Sequence, residues 1–210
     1  MEKAEKGIFL FGNADTNAKI IARIAVMIAV TVVLQLVSNL LGQQLITGAI
    51  VNMCLLLSVM LTGLIGGIIV GAVTPLLAVI LGIAPQLLLA PFIAVGNALY
   101  ITTFALLSLI VRTPSKGEEY KKLVVYIFAL ATASVGKFLY MSLVSRWLFP
   151  LFLPTAQAQK LAVMWGITQL FTALLGGAIA IGLSYPLERL HMLGRLKRTP
   201  KENNESAESK

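Results

Sequence analysis

Two long stretches of this chain contain no acidic residue. The nine Asp and Glu residues lie in 1–15, at 118–119 and from Glu188 onward, so 16–117 and 120–187 carry none. Charged residues make up 12% of the chain, whereas a typical soluble domain has about 25%. Apolar runs of roughly 18 or more residues without acids are typical of bilayer-spanning helices. The sequence therefore predicts an integral membrane protein.

Six apolar segments define the predicted architecture, an all-α bundle of six transmembrane helices. The segments are 19–41, 46–62, 64–82, 87–111, 121–148 and 161–186. The second and third are separated only by a tight turn at Thr62-Gly63. Residues 1–18 are expected to form a cytoplasmic N-terminus and 19–187 the membrane domain. Residues 188–210 are expected to form a basic, then polar cytoplasmic tail without fixed structure.

Basic residues predict the orientation. If both termini share one side of the membrane, that side carries 14 of the 17 Lys and Arg residues, while the other side has Arg146 and Lys160 and Lys137 lies within a span. The positive-inside rule then places both termini in the cytoplasm. The net charge is +8, but the basic residues lie beside the spans rather than on a polar domain, so nucleic-acid binding is not expected.

Polar side chains concentrate in the middle and outer thirds of the predicted spans. Such groups are costly in hydrocarbon unless they pair or line a wet cavity. Interhelical hydrogen bonding explains any one of them, but stripes on several helices at one depth favour a cavity open to the outside. The residues expected to contact a ligand there are Gln35, Asn39, Asn52, Asn97, Tyr100, Lys137, Trp165 and Gln169.

Lys137 carries the strongest chemical information in this set. It lies about 21 Å into its predicted span, and no acidic residue lies within the spans. An ammonium at that depth must meet water, carbonyl oxygens or an anionic ligand, or give up its charge. Lys137 and Arg146 favour a ligand with a carboxylate or a phosphate. Trp165 and Tyr100 could stack on a ring, although Trp165 equally fits an interfacial aromatic belt.

Catalytic and metal-binding patterns are not found. The chain has no GxxxxGK[ST] phosphate loop, its single His191 lies in the tail, and Cys54 stands alone in an apolar run. We therefore expect no enzyme, no metal site and no cofactor. The spans also lack the carboxylates that commonly serve proton relays in transporters. A chain that binds a solute without such groups would need a separate energising partner.

Several sequence segments resemble the S component, the substrate-binding subunit, of energy-coupling factor (ECF) transporters. They are ITGAIVN (46–52), LTGLIGGIIVGAVTPLLAVILGI (61–83) and APFIAVGNALY (90–100), and the resemblance extends over 18–187. It implies a six-helix subunit in a bacterial cytoplasmic membrane that binds a vitamin or related micronutrient near the outer face. The implied partners are a transmembrane T component and two cytoplasmic ATPases.

The resemblance also assigns roles to two groups of residues. Small residues at i, i+4 spacing let helices approach closely, and in this family the alanine-rich face of the first helix meets the T component. Here that face consists of Ala18, Ala22, Ala25 and Ala29. The connection between helices one and two closes over the substrate as a lid. Here it would be Gly42–Ala49, with the polar residues Gln43, Gln44 and Thr47.

Two other functions stay open at this point. The chain could be a self-sufficient small-solute transporter or channel, which would take up solute without ATPases. It could also be a membrane scaffold that binds partners but no ligand.

Overall fold

The computed structural model describes residues 17–83, 87–110 and 119–189, and every regular element in those ranges is helical. This confirms the predicted all-α class for the described part of the chain. The predicted N-terminal segment (all but its last two residues) and nearly all of the tail lie outside it. The elements are α1 (Asn17–Leu40), α2 (Gln44–Ile80), a 3₁₀ turn (Leu87–Leu89), α3 (Ala90–Ile110), α4 (Glu119–Leu143), a π-helical turn (Val144–Leu148), α5 (Phe149–Phe152), α6 (Thr155–Met164) and α7 (Ile167–Arg189).

By length and composition, five helical stretches in the described residues could cross a membrane, where the sequence predicted six. They are Ala18–Leu40, Gln44–Ile80, Leu87–Ser108, Tyr120–Leu151 and Thr155–Leu187. The difference arises because the predicted segments 46–62 and 64–82 are joined in the single element α2, which has 37 residues. A straight helix of that length would be about 56 Å long, well beyond the roughly 30 Å of a bilayer core.

The backbone of α2 is not straight, because it is interrupted at Gly63 with φ +80° and ψ 179°. A Cβ built on Gly67 would lie 2.9 Å from Val59 Cβ, and one on Gly71 would lie 3.5 Å from Leu55 Cδ2. Residues 55 and 71 would be about 24 Å apart along a straight helix. The two parts of α2 therefore lie side by side, and we call them α2a (44–62) and α2b (64–80). Glycine at 63 permits the positive φ that this reversal needs.

The α2 hairpin forms the centre of the bundle, and α1 lies at its edge. α2 packs against α1, α3 and α7, and α4 packs against α3 and α7. Most side chains of α2a from Cys54 to Met60 are fully buried. In α1, by contrast, Met27, Thr31 and Ser38 are the buried members among the described side chains. Ile24 and Ile28 are partly buried against the core, and the exposed side chains of α1 face lipid or a partner.

The segment between α4 and α7 differs from the prediction. No transmembrane segment was predicted between 149 and 160, whereas the structure has α5 and the first part of α6 there. The predicted sixth span, 161–186, also crosses a helix boundary, because α6 ends at Met164 and α7 begins at Ile167. Trp165 is the C-cap of α6, so Trp165 and Gln169, which the prediction placed in one span, belong to different helices.

Close backbone approach joins α7 to α2a. A Cβ on Gly176 would meet the carbonyl oxygen of Ala49 and would lie 2.8 Å from the Met53 nitrogen and 2.9 Å from Asn52 Cβ. A Cβ on Gly48 would lie 2.8 Å from Thr172 Cγ2. Because neither glycine carries a side chain, α7 can lie directly on α2a, and this contact brings Thr172 next to Asn52.

We predict that Gly176→Ala destabilises the protein, because the added methyl has no room against the α2a backbone. Overpacking of this kind typically costs about 1–3 kcal/mol. The matched control is Gly182→Ala on the same helix, where a Cβ meets nothing within 4 Å. Thermal unfolding in detergent should show a lowered midpoint for Gly176→Ala only. Equal midpoints for the two variants would contradict the proposed close approach.

Candidate functional site

Lys137 lies inside the helix bundle and is held by two asparagine side chains. It belongs to α4, and its side chain is 3% exposed. Its Nζ donates to Asn52 Oδ1 at 2.6 Å and to Asn97 Oδ1 at 2.9 Å. The Tyr100 ring lies beside it, with its centroid 5.2 Å from Nζ. Four residues predicted separately to contact a ligand therefore meet at one point.

The position of Asn97 follows from a proline in α2b. Pro75 has no N–H, so the carbonyl of Gly71, four residues earlier, has no helical hydrogen-bond donor. Asn97 Nδ2 donates to that carbonyl oxygen at 3.0 Å. The absent side chain of Gly71 permits the approach, since a Cβ there would lie 3.2 Å from Asn97 Cβ. Asn97 thus connects the break in α2b to the Lys137 ammonium.

Asn52 and Tyr100 connect the same point to α7. Asn52 Nδ2 donates to Thr172 Oγ1 at 3.3 Å, and the Tyr100 hydroxyl donates to the Ala173 carbonyl at 2.8 Å. All of these side chains are buried. We call this group the Lys137 cluster. Its members are Asn52, Asn97, Tyr100, Lys137 and Thr172.

The Lys137 cluster lies near mid-depth of the bundle, on the side at which α2 and α3 begin. Asn52 is about 12 Å from the start of α2 and Asn97 about 10 Å from the start of α3, while Lys137 is about 9 Å from the end of α4, which the π-helical turn and α5 continue. The reversal at Gly63 is at the opposite end of α2a. The common depth expected for the polar residues is therefore present for these three.

Neutral groups alone surround the Lys137 ammonium in the described structure. Its three N–H donors face two amide oxygens and the tyrosine ring, which attracts cations through its electron-rich face. No acid occurs in 16–117 or 120–187, so none of these helices can supply a carboxylate near the cluster. The sequence left water, carbonyl oxygens, an anionic ligand or loss of the charge as possibilities for Lys137. The structure shows the carbonyl oxygens of two asparagine side chains next to its Nζ.

One fully buried hydroxyl close to the cluster has no hydrogen-bond partner. Ser134 lies one turn before Lys137 on α4 and beside Tyr100, but its Oγ does not reach hydrogen-bond geometry with any group in the described structure. An unsatisfied buried hydroxyl costs free energy. The polar interior near Lys137 is therefore not completely paired.

A small cavity adjoins the cluster between α1, α2 and α3. Its volume is about 50 Å³, and its polar lining comes from Gln35, Thr74 and Asn97. The apolar lining residues are Val51, Pro75, Ala78 and Ile93. Such a volume holds a few water molecules, whereas pockets for drug-sized ligands measure about 300–1,000 Å³. A vitamin-sized ligand would require the helices to move apart.

The comparison with known families identifies the chain. The family model of the ECF transporter, substrate-specific component, matches residues 19–188. The chain belongs to this family. No curated protein and no solved structure matches it. Members of the family are membrane transport proteins rather than enzymes, and they work with a T component and ATPases.

For this S component, the structure shows where the other expected ligand residues lie. Gln35 is half-buried and lines the cavity. Asn39 is exposed near the end of α1, and Gln169 is half-buried in the first turn of α7. Trp165 packs edge-on against Phe149, with ring centroids 4.7 Å apart. These last three are therefore not part of the Lys137 cluster.

The residues assigned to the lid are mostly helical in this S component. Only residues 41–43 lie between α1 and α2, so the predicted loop 42–49 is wrong from Gln44 onward. Gln43 is the N-cap residue of α2, and its carbonyl accepts a hydrogen bond from Thr47 Oγ1 at 3.4 Å. Gly42 has φ +66°, a conformation that ends helices. The lid function itself stays a prediction.

The alanine face of α1 is open in this S component. Ala18, Ala22, Ala25 and Ala29 are all exposed, so no other part of the described chain covers them. Contact with a T component stays a prediction.

Two features of the site were missed by the sequence reasoning. Thr172 and Thr74 were not among the residues expected to contact a ligand. Asn52, the partner of Thr172, lies on a distant segment, and Thr74 lines the cavity while its hydroxyl donates to the Val70 carbonyl of its own helix. The pairing of Asn97 with Gly71 had a usable sequence indication, since Pro75 always leaves the carbonyl at position 71 without its helical donor.

We predict that Pro75→Ala partly rescues Asn97→Leu. Asn97→Leu leaves Lys137 with one oxygen fewer and the Gly71 carbonyl without a donor, at about 1–3 kcal/mol for each unpaired group. An alanine at 75 supplies an N–H to Gly71 and should recover about 1 kcal/mol. Pro186→Ala, at a proline within α7, is the control and should recover nothing. Thermal unfolding of the single and double variants measures this, and rescue by neither or both substitutions would refute the pairing.

Proposed function

We propose that this S component captures an anionic vitamin or related micronutrient from outside the cell at the Lys137 cluster. A T component and two ATPases would then drive its delivery inward. The observation that carries the proposal is the buried Lys137 side chain, whose Nζ has two neutral oxygen partners and no carboxylate. A ligand carboxylate or phosphate would bind such a group more strongly than a neutral oxygen does.

The chain would cross the membrane six times, with α2a and α2b as separate spans and both termini in the cytoplasm. The reversal at Gly63 supports the count, because each part of α2 has about the length of one span. The excess of Lys and Arg on one side supports the orientation. In this orientation, the Lys137 cluster lies in the outer half of a bacterial cytoplasmic membrane.

The electrostatics of the outer end would favour anions. Arg146 and Lys160 are exposed there, and no acid in the spans or their outer connections offsets them. Pantothenate, folate, biotin, nicotinate and lipoate are candidates, because each carries a carboxylate. The small size of the cavity supports a binding step in which helices at this end separate.

We predict that an anionic vitamin stabilises the purified protein and that Lys137→Met abolishes this effect. A ligand at 100 times its Kd stabilises by about 2.7 kcal/mol, or roughly 5–10 °C for a chain of this size. Thermal unfolding across a panel of vitamins measures the shift. Lys160→Met removes an exposed lysine at the same end and is the control that should retain it.

Two results would contradict this function. If no micronutrient raises the unfolding midpoint and no T component co-purifies, the result would favour a scaffold. Uptake into vesicles without ATPases would favour a self-sufficient transporter.

We also predict that leucines on the α1 alanine face weaken T-component binding without unfolding the protein. Ala22→Leu with Ala29→Leu adds bulk where two helix backbones would meet closely. Ala131→Leu on α4, also exposed, is the matched control. Co-purification of the T component from co-expressing cells should fall several-fold for the α1 variant alone. Unchanged recovery would place the partner elsewhere.

A further inference from the structure

Asn97 is the one residue that both lines the cavity and contacts Lys137 in the described structure. It faces the space between α1, α2 and α3, and its Oδ1 lies 2.9 Å from Lys137 Nζ. Asn52, the other oxygen partner of Lys137, does not line the cavity. A solute in the cavity would therefore be separated from the ammonium by the Asn97 carboxamide.

A carboxamide and a carboxylate have nearly the same shape, but only the carboxylate carries a negative charge. Hydrogen bonds from an ammonium to a carboxylate are roughly twice as strong as neutral ones. The charge of Lys137 lies in a water-poor interior, where such differences are larger than in water. A carboxylate that reached Nζ would compete well with Asn97 Oδ1.

The geometry points to an exchange at this position: the ligand's carboxylate enters from the cavity and takes the place of Asn97 Oδ1 on Lys137. Asn97 Nδ2 has two N–H groups and uses one on the Gly71 carbonyl. Its second N–H can donate to the incoming carboxylate. Asn97 is thus a specificity-determining residue that holds the anion position closed until a ligand arrives. This inference rests on the proposed function.

The surroundings explain why the exchange occurs on the Asn97 side. α1 forms one wall of the cavity through Gln35, and α1 is the helix with few buried side chains. Asn52 is enclosed on the opposite side by α7, where Gly176 and Thr172 lie against it. Displacing α1 costs less buried surface than displacing α7, so access to Lys137 is easier past Asn97.

Chemical rescue of Asn97→Ala tests the exchange without knowledge of the natural ligand. The substitution removes one carboxamide group, which matches formamide in size, while formate is the corresponding carboxylate. We expect sodium formate to raise the unfolding midpoint of purified Asn97→Ala by about 2–4 °C. Formamide with equimolar sodium chloride can also donate to the Gly71 carbonyl, but it should raise the midpoint less, because its hydrogen bond to Lys137 is neutral on the acceptor side. Formate should have no such effect on Asn52→Ala or on the wild-type protein.

Each other outcome overturns the exchange. Equal or better rescue by formamide would mean that the position requires a neutral amide. Equal rescue of Asn97→Ala and Asn52→Ala would mean that access does not depend on the cavity side. No rescue by either compound would mean that the position admits no small anion.

A second variant applies if Asn97→Ala does not fold. Asn97→Asp attaches a carboxylate where the ligand's would bind but removes the donor to the Gly71 carbonyl, so it is combined with Pro75→Ala, which supplies that carbonyl with a helical donor. The exchange predicts that the double variant unfolds at a higher midpoint than Pro75→Ala alone, and Lys137→Met in the same chain should remove this gain. A double variant that unfolds at or below the midpoint of Pro75→Ala overturns the exchange. The vitamin panel is independent of these measurements, so a vitamin that binds while formate fails would retain the proposed function and reject the exchange.

Discussion

A lysine ammonium buried in a bundle of apolar helices needs oxygen partners, because its desolvation is costly and the spans contain no carboxylate. Here the partners are two asparagine oxygens, and other contacts hold each asparagine in place. Thr172 holds Asn52, and the carbonyl that Pro75 leaves free holds Asn97. The relative positions of α2, α3, α4 and α7 at this end of the bundle depend on that chain of hydrogen bonds.

Helix packing elsewhere in the bundle brings the members of the Lys137 cluster together. The reversal at Gly63 places α2a beside α2b, so Asn52 and the Gly71 carbonyl lie on neighbouring segments. Glycine at 176 lets α7 reach the α2a backbone and brings Thr172 to Asn52. α1 takes little part in this core and keeps its alanine face exposed. The molecule therefore combines a closely packed centre with a peripheral helix next to a polar cavity.

Physical reasons explain which site residues could be predicted from the sequence and which could not. Acid-free apolar runs predicted the helices well. Polar residues at a similar depth of several spans led to the selection of Asn52, Asn97, Tyr100 and Lys137, which the structure brings together, while their contact with a ligand stays a prediction. Period and composition do not report tertiary partners, so the Thr172 contact was missed. The break at Trp165 was also missed, since the apolar run continues through it. A single turn residue, Gly63, was enough to predict the division of α2 into two parts.

Membership of the ECF substrate-specific family makes ligand capture the central function, and the Lys137 cluster makes an acidic ligand the central claim. Native mass spectrometry of the full-length protein, purified from cells and incubated with a mixture of water-soluble vitamins, tests it most directly. The account predicts a one-to-one adduct whose small molecule bears a carboxylate or phosphate and which Lys137→Met loses. No adduct, a bound molecule without an acidic group, or an adduct that Lys137→Met retains equally would contradict it.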